Sequence, residues 1–149
     1  MEDIAFESSA IGSDQRCWII AELSANQDGS PERAAELIQI AAAAGANAVK
    51  FQTYVVDDFV ADFNRVTTWG PPDDRRHEPI GEMFSRYQLP WDSYAELWDL
   101  ARSLGLTPFS SAFDLKSLKF VEDLGAEVHK IASSDVNNIP LLKAIAETG

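Results

Sequence analysis

Two lysines interrupt short apolar runs, where a charge is costly to hold. Lys50 lies in Ala48-Val49-Lys50-Phe51-Gln52-Thr53 and Lys130 in Val128-His129-Lys130-Ile131-Ala132. Each run then empties into polar residues: Gln52 after Lys50, and Ser133 and Asp135 after Lys130. Gln52 is two residues beyond Lys50, so on a strand both face the same way. A further run, Cys17-Trp18-Ile19-Ile20-Ala21, ends at Glu22, and Thr107-Pro108-Phe109 ends at Ser110-Ser111. Lysine contributes point charge and serine contributes neutral hydrogen bonds, a combination suited to phosphate or another polyanion. A carboxylate beside them, Glu22, is a candidate proton donor or acceptor. Plainer readings stand next to these. Lys50 could snorkel from a strand end, Glu22 could be solvated, the serines could be loop caps, and Asp135 could be a turn residue.

For such residues to meet, the runs must be parallel strands with their carboxyl ends on one rim, where α/β proteins place their chemistry. The intervening sequence supports this. Ser30 is a good N-cap and Pro31 a good first helical residue, and apolar residues at 34, 37, 38, 41 and 42 give a helical stripe closed by Gly45. Residues 91–104 carry a second stripe. Asp114 can cap a third helix, closed by Gly125, and Asn137 or Asn138 a fourth with Pro140 in its first turn. Strand, polar loop, helix and glycine recur four times. The fold class is therefore α/β, built of parallel βα repeats with right-handed crossovers. Two architectures fit, a small open sheet or part of a (βα)8 barrel. A barrel takes roughly 250 residues, and the four units read as its first half. Residues 1–16 read as a lead-in, 17–149 as the βα units, and 55–90 as a long irregular lid or binding loop with a short helix near 80–87.

Bulk properties set limits. The net charge of −12 over 149 residues argues against a nucleic-acid or anionic-membrane surface, so any anion site must be local. No apolar run is long enough to span a bilayer, and the acidic Met1-Glu2-Asp3 start lacks the features of a secretory signal. The single Cys17 reads as core, excludes an internal disulfide and fits a cytoplasmic protein. His77 and His129 are far apart and form no metal-ligand spacing. There is no P-loop and no G-x-G-x-x-G.

At the strand ends the chain resembles a known family. Ile19-Ile20-Ala21-Glu22-Leu23-Ser24-Ala25-Asn26, Gly45-Ala46-Asn47-Ala48-Val49-Lys50-Phe51-Gln52-Thr53-Tyr54, Phe109-Ser110-Ser111-Ala112-Phe113-Asp114, and Lys130-Ile131-Ala132-Ser133 with Asn138-Ile139-Pro140-Leu141-Leu142 resemble the sialic acid synthases, in the same order. That family includes N-acetylneuraminate, legionaminate and pseudaminate synthases. The resemblance implies a (βα)8 TIM barrel that condenses phosphoenolpyruvate with an N-acylated amino-sugar aldehyde, giving a nine-carbon 2-keto acid and phosphate. It implies Glu22 as the acid/base and Lys50, Ser111, Lys130 and Ser133 as the grip on phosphoenolpyruvate. Gln52 would sit beside a metal and its water, and Asp135 would contact the amino sugar. Phosphoenolpyruvate carries about three negative charges, which two lysines would meet. A divalent metal, Mn2+ or Mg2+, is implied as Lewis acid, its ligands expected in a second half of the barrel, with none among the residues here. A homo-oligomer is expected, and no C-terminal antifreeze-like domain.

Three positions depart from the family pattern: Gln27 where histidine is usual, Ala112 where proline is usual, and Asp135 where glutamate is common. They imply an altered hydrogen bond at the rim, a looser loop and a shifted sugar preference. The rival reading is a non-catalytic half-barrel that binds a phosphorylated ligand or a partner protein through open strand edges.

Overall fold

The computed structural model describes residues 4–5 and 10–148. Part of the lead-in lies outside them. Of the rest, β1 (Ile4–Ala5) and β2 (Ala10–Ile11) pair antiparallel, ahead of β3 (Ile20–Glu22). Helix α1 (Pro31–Ala43) begins at the expected cap, with the Arg33 amide donating to Ser30 Oγ at 3.2 Å. It buries Ala34, Ile38 and Ala41, three members of the apolar stripe. Strand β4 (Ala48–Thr53) follows.

Residues 55–90 are not irregular as expected. They hold α2 (Val56–Phe59), an antiparallel hairpin of β5 (Val66–Trp69) and β6 (Arg76–Pro79), and α3 (Ile80–Tyr87). The signal was present in Thr67-Thr68-Trp69 followed by Gly70-Pro71, β-formers running into a turn. Gly70 takes φ +99°, and a Cβ there would meet the Asp74 carbonyl oxygen at 2.6 Å. Tyr54, Phe59, Phe84 and Phe113 join α2 and α3 to the sheet, with neighbouring ring centroids 4.7 to 6.1 Å apart.

A 3-10 turn (Trp91–Ser93) leads into α4 (Tyr94–Ser103), then β7 (Thr107–Ala112) and α5 (Leu115–Asp123). Asp114 caps α5 by accepting from Ser117 N at 2.8 Å, and its other oxygen accepts from Val55 N at 2.9 Å, tying two strand-end loops together. A second 3-10 turn (Ser133–Asp135) precedes α6 (Ile139–Ala146), which Asn138 caps. Ala112 does not loosen its loop. It is buried at the end of β7, and the ladder continues as Phe113 N donates to Thr53 O at 3.1 Å.

The central sheet is parallel, in the order β3-β4-β7. Its register pairs Glu22 with Lys50, Lys50 with Phe109, and Gln52 with Ser111. Paired residues of parallel neighbours share a face, so Glu22, Lys50, Gln52 and Ser111 lie on one side. Phe51 lies on the other, where its ring meets Trp98 at 5.2 Å and Tyr94 at 5.7 Å on α4. Both faces of β4 and β7 are largely covered, which is why their sequences read as continuous rather than alternating apolar runs.

Three expectations fail at the open edges of this sheet. The run from Cys17 to Ala21 is an edge rather than a buried strand: only Ile20–Glu22 pair, Ile19 and Ile20 are 56% and 45% exposed, and Cys17 is exposed rather than core. Glu127–Lys130 forms no full fourth strand. It keeps one parallel bridge, Ser110 to His129, and one bond from Lys130 N to Ser110 O at 3.3 Å. Lys130 is accordingly exposed, not buried. The cause is shared. Each segment pairs on one side only, so the apolar side chains that would face a further strand face solvent.

Candidate functional site

The sheet brings Glu22 and Lys50 into contact at the carboxyl ends of β3 and β4. Lys50 Nζ lies 2.9 Å from Glu22 Oε2, and the side chains are 8% and 50% exposed. The pair is thus a covered ammonium neutralised by a carboxylate that reaches solvent. Burial of an isolated ammonium is costly, and this partner offsets it. The Lys50 carbonyl also accepts from Leu23 N at 3.0 Å and Ser24 N at 3.2 Å, which fixes where the chain leaves β3.

Gln52 and Ser111 lie opposite each other on the same face, one pleat further toward the rim. Among the described residues neither the Gln52 side-chain amide nor the Ser111 hydroxyl has a hydrogen-bond partner. Ser110 points the other way. Its hydroxyl lies 2.8 Å from Thr53 Oγ1, which donates to Tyr94 OH at 3.3 Å, and Tyr94 OH donates to the Gln52 carbonyl at 3.0 Å. Burial pushes the Tyr94 hydroxyl up to about 12, against a smaller downward pull from Thr53, so it stays a neutral donor. Thr53 and Tyr94 were not singled out in the sequence, because a hydroxyl on a helix-facing position looks like any core residue.

The other expected members stand apart. Lys130 donates to the carbonyl of its neighbour Ile131, and Ser133 is exposed. Asp135 is buried within its own turn, accepting from Ser134 Oγ at 2.9 Å and Asn138 Nδ2 at 3.4 Å. Among the described residues no hydrogen bond or ion pair joins these three to Glu22, Lys50, Gln52 or Ser111. His77 contacts Thr68, and His129 lies 2.6 Å from Glu122 on α5, so neither approaches the rim pair.

Gln27 is not at the rim surface. It is 2% exposed and donates to the Tyr87 carbonyl at 3.2 Å, seating the loop after β3 against the end of α3. Gly29 completes the seat. With φ +72° and a virtual Cβ only 2.4 Å from the Arg86 carbonyl oxygen, no side chain fits there. Gly29→Ala should cost about 2–3 kcal/mol, combining strain with displacement of backbone. Thermal unfolding of the native polypeptide would read this as a Tm several degrees lower, and an unchanged Tm would mean the loop is not held against α3.

Beyond Gln52 a cleft of about 340 Å³ is bounded by this loop, by α3 and by the hairpin. Trp69 of β5 is anchored there, its Nε1 donating to Glu78 at 2.7 Å. Arg86 grips the same carboxylate through two bonds of 2.7 and 2.8 Å. The Arg86 bonds, with help from Trp69, hold the Glu78 carboxyl down to about 2.

Comparison with known proteins agrees with this arrangement. Residues 37–149 match the NeuB family. The chain is 34% identical over 135 residues to the N,N'-diacetyllegionaminic acid synthase of Legionella pneumophila, covering 91% of this chain and 38% of that protein. It is 31% identical over 138 residues to a pseudaminic acid synthase of Campylobacter jejuni, covering 91% and 39%. The N-acetylneuraminic acid synthetase structure from Leptospira borgpetersenii, in complex with citrate, superposes with a TM-score of 0.82 at 27% identity, covering 99% of this chain and 47% of that one. The chain thus spans about two fifths of the length of these curated relatives. It belongs to the NeuB family, the sialic acid synthases that its strand-end motifs resemble.

Proposed function

We propose that this chain supplies the phosphoenolpyruvate-binding rim and the acid/base carboxyl of a sialic acid-type synthase, as the first part of a (βα)8 barrel. The observation that carries the reading is the Lys50–Glu22 pair, a covered ammonium whose counter-ion is a solvent-reaching carboxylate at the strand ends. In the free protein Glu22 neutralises Lys50. An arriving phosphoenolpyruvate, with about three negative charges, is the stronger anion and takes over the ammonium. Glu22 is then released beside the reacting carbons, where a carboxyl group is needed.

The condensation joins the methylene carbon of phosphoenolpyruvate to the aldehyde carbon of the sugar. The aldehyde oxygen becomes a hydroxyl and takes a proton. Water adds to the carbon bearing the phosphate ester and gives a proton up. That adduct collapses to the ketone, and phosphate leaves with the remaining hydroxyl proton. Glu22 can carry the proton in both directions. Ser111 and Gln52, uncommitted and on the same face, are available to the substrates. Lys130, Ser133 and Asp135 are proposed to join them as phosphate and sugar contacts.

The residues described do not by themselves fit the divalent metal that the family resemblance implies. Among them no group of three or more His, Cys, Asp or Glu could hold one. No step here is routed through it. No helix among the described residues is long and apolar enough to cross a membrane.

The test is a coupled phosphate-release assay on the full native polypeptide with phosphoenolpyruvate, a divalent metal and a panel of N-acylated amino sugars. Sugar-dependent phosphate release supports the synthase reading. Phosphoenolpyruvate binding by calorimetry, with no release for any sugar, would favour the non-catalytic half-barrel.

A further inference from the structure

The cleft beyond Gln52 has a chemistry of its own. Tyr54, Trp69, Met83, Phe84 and Tyr87 form most of its wall, and no lining side chain is charged. The polar handles of the rings are engaged away from it: Tyr54 OH donates to the Phe84 carbonyl at 3.0 Å, and Trp69 Nε1 to Glu78. The neighbouring cations are engaged as well. Arg86 is doubly bonded to Glu78, and Arg76 stacks over the Trp69 ring at 5.3 Å. Against this wall stands the Gln52 amide, with no partner among the described residues, two positions beyond Lys50 on the same face.

A phosphorylated substituent would find no cation in this lining, and a row of hydroxyls would meet aromatic rings that cannot answer them. An amide with a short apolar tail matches both parts, since one amide can donate to and accept from another. We propose that the cleft is an N-acyl pocket. Gln52 exchanges hydrogen bonds with the amide of an N-acyl substituent on the acceptor sugar, and the acyl methyl lies against Tyr54, Trp69 and Phe84. The identity of the acceptor as a sugar rests on the synthase reading. The group recognised rests on the cleft.

The experiment uses the full native polypeptide and four probes: N-acetylmannosamine, its N-butanoyl analogue, unacylated mannosamine, and a hexose acetylated on nitrogen at carbons 2 and 4. Saturation-transfer NMR should place the strongest contact on an acyl methyl, and the two acetylated probes tell which acyl it is. Gln52→Leu should weaken binding of the preferred N-acetyl probe about tenfold, the loss of a pair of hydrogen bonds, and erase its preference over the free amine. Trp69→Leu should admit the N-butanoyl probe more readily. Saturation spread evenly over the ring protons would overturn the proposal, as would a wild-type acyl preference in Gln52→Leu. Should Trp69→Leu unfold the hairpin, Gln52→Leu decides, because that side chain holds nothing else in place. Phosphate release is scored separately. Acyl-directed binding without release would keep the pocket and sink the synthase reading, and release without acyl preference the reverse.

Discussion

Replacing Lys50 by methionine should remove most of the affinity for phosphoenolpyruvate. Truncating one partner of a covered charge contact typically costs about 2–5 kcal/mol, a weakening of roughly thirty- to several-thousandfold. The fold should tolerate the change. Methionine has a similar reach and suits a covered position, and the abandoned carboxylate of Glu22 is half exposed, so water can solvate it. Calorimetric titration of phosphoenolpyruvate into the native polypeptide, alongside an unfolding curve, separates the two effects. An unaltered Kd in a folded Lys50→Met protein would falsify the phosphate-site assignment. Lys130→Ala is the informative companion. Its ammonium is exposed and bonded to the next carbonyl in the chain, so a smaller loss is expected than at Lys50. Equal losses would mean that ligand binding draws the segment at 130–133 into the site.

The contrast between the two lysines marks how far the sequence was legible. In sequence they looked equivalent, each on an apolar run ending in polar residues. Lys50 lies on a central strand whose neighbours on both sides are local βα units, so pattern and structure agree. The caps at Ser30, Asp114 and Asn138 agree for the same reason, since each depends on residues three positions away. Lys130 and the run ending at Glu22 lie where the sheet stops. There a strand's burial depends on a neighbour that lies outside the pairing, and a local pattern cannot register it. The aromatic cleft was hidden for a different reason. Tyr54, Trp69 and Phe84 come from a strand end, a hairpin and a helix, and only the folding of 55–90 back over the rim puts them on one wall.

Glu22→Gln should separate binding from turnover. The amide keeps the size and can still accept from Lys50, but it can neither carry a proton nor neutralise the ammonium. Loss of a general acid/base costs about 10²–10⁴ in kcat. Affinity for phosphoenolpyruvate should hold or improve, because the ligand no longer competes with an internal carboxylate 2.9 Å from Lys50. A residue that merely propped up the rim would behave otherwise, losing both together as Lys50 shifted. Glu22→Asp refines the test. The shorter carboxylate can still carry the proton but cannot span the same distance to Lys50, so partial turnover with tighter ligand binding is expected. Phosphate release under saturating substrates gives kcat, and calorimetry gives Kd. A Glu22→Gln protein that turns over within threefold of the wild type would remove Glu22 from the chemistry. One that loses phosphoenolpyruvate binding would make it a structural counter-ion and leave the proton transfer to another group.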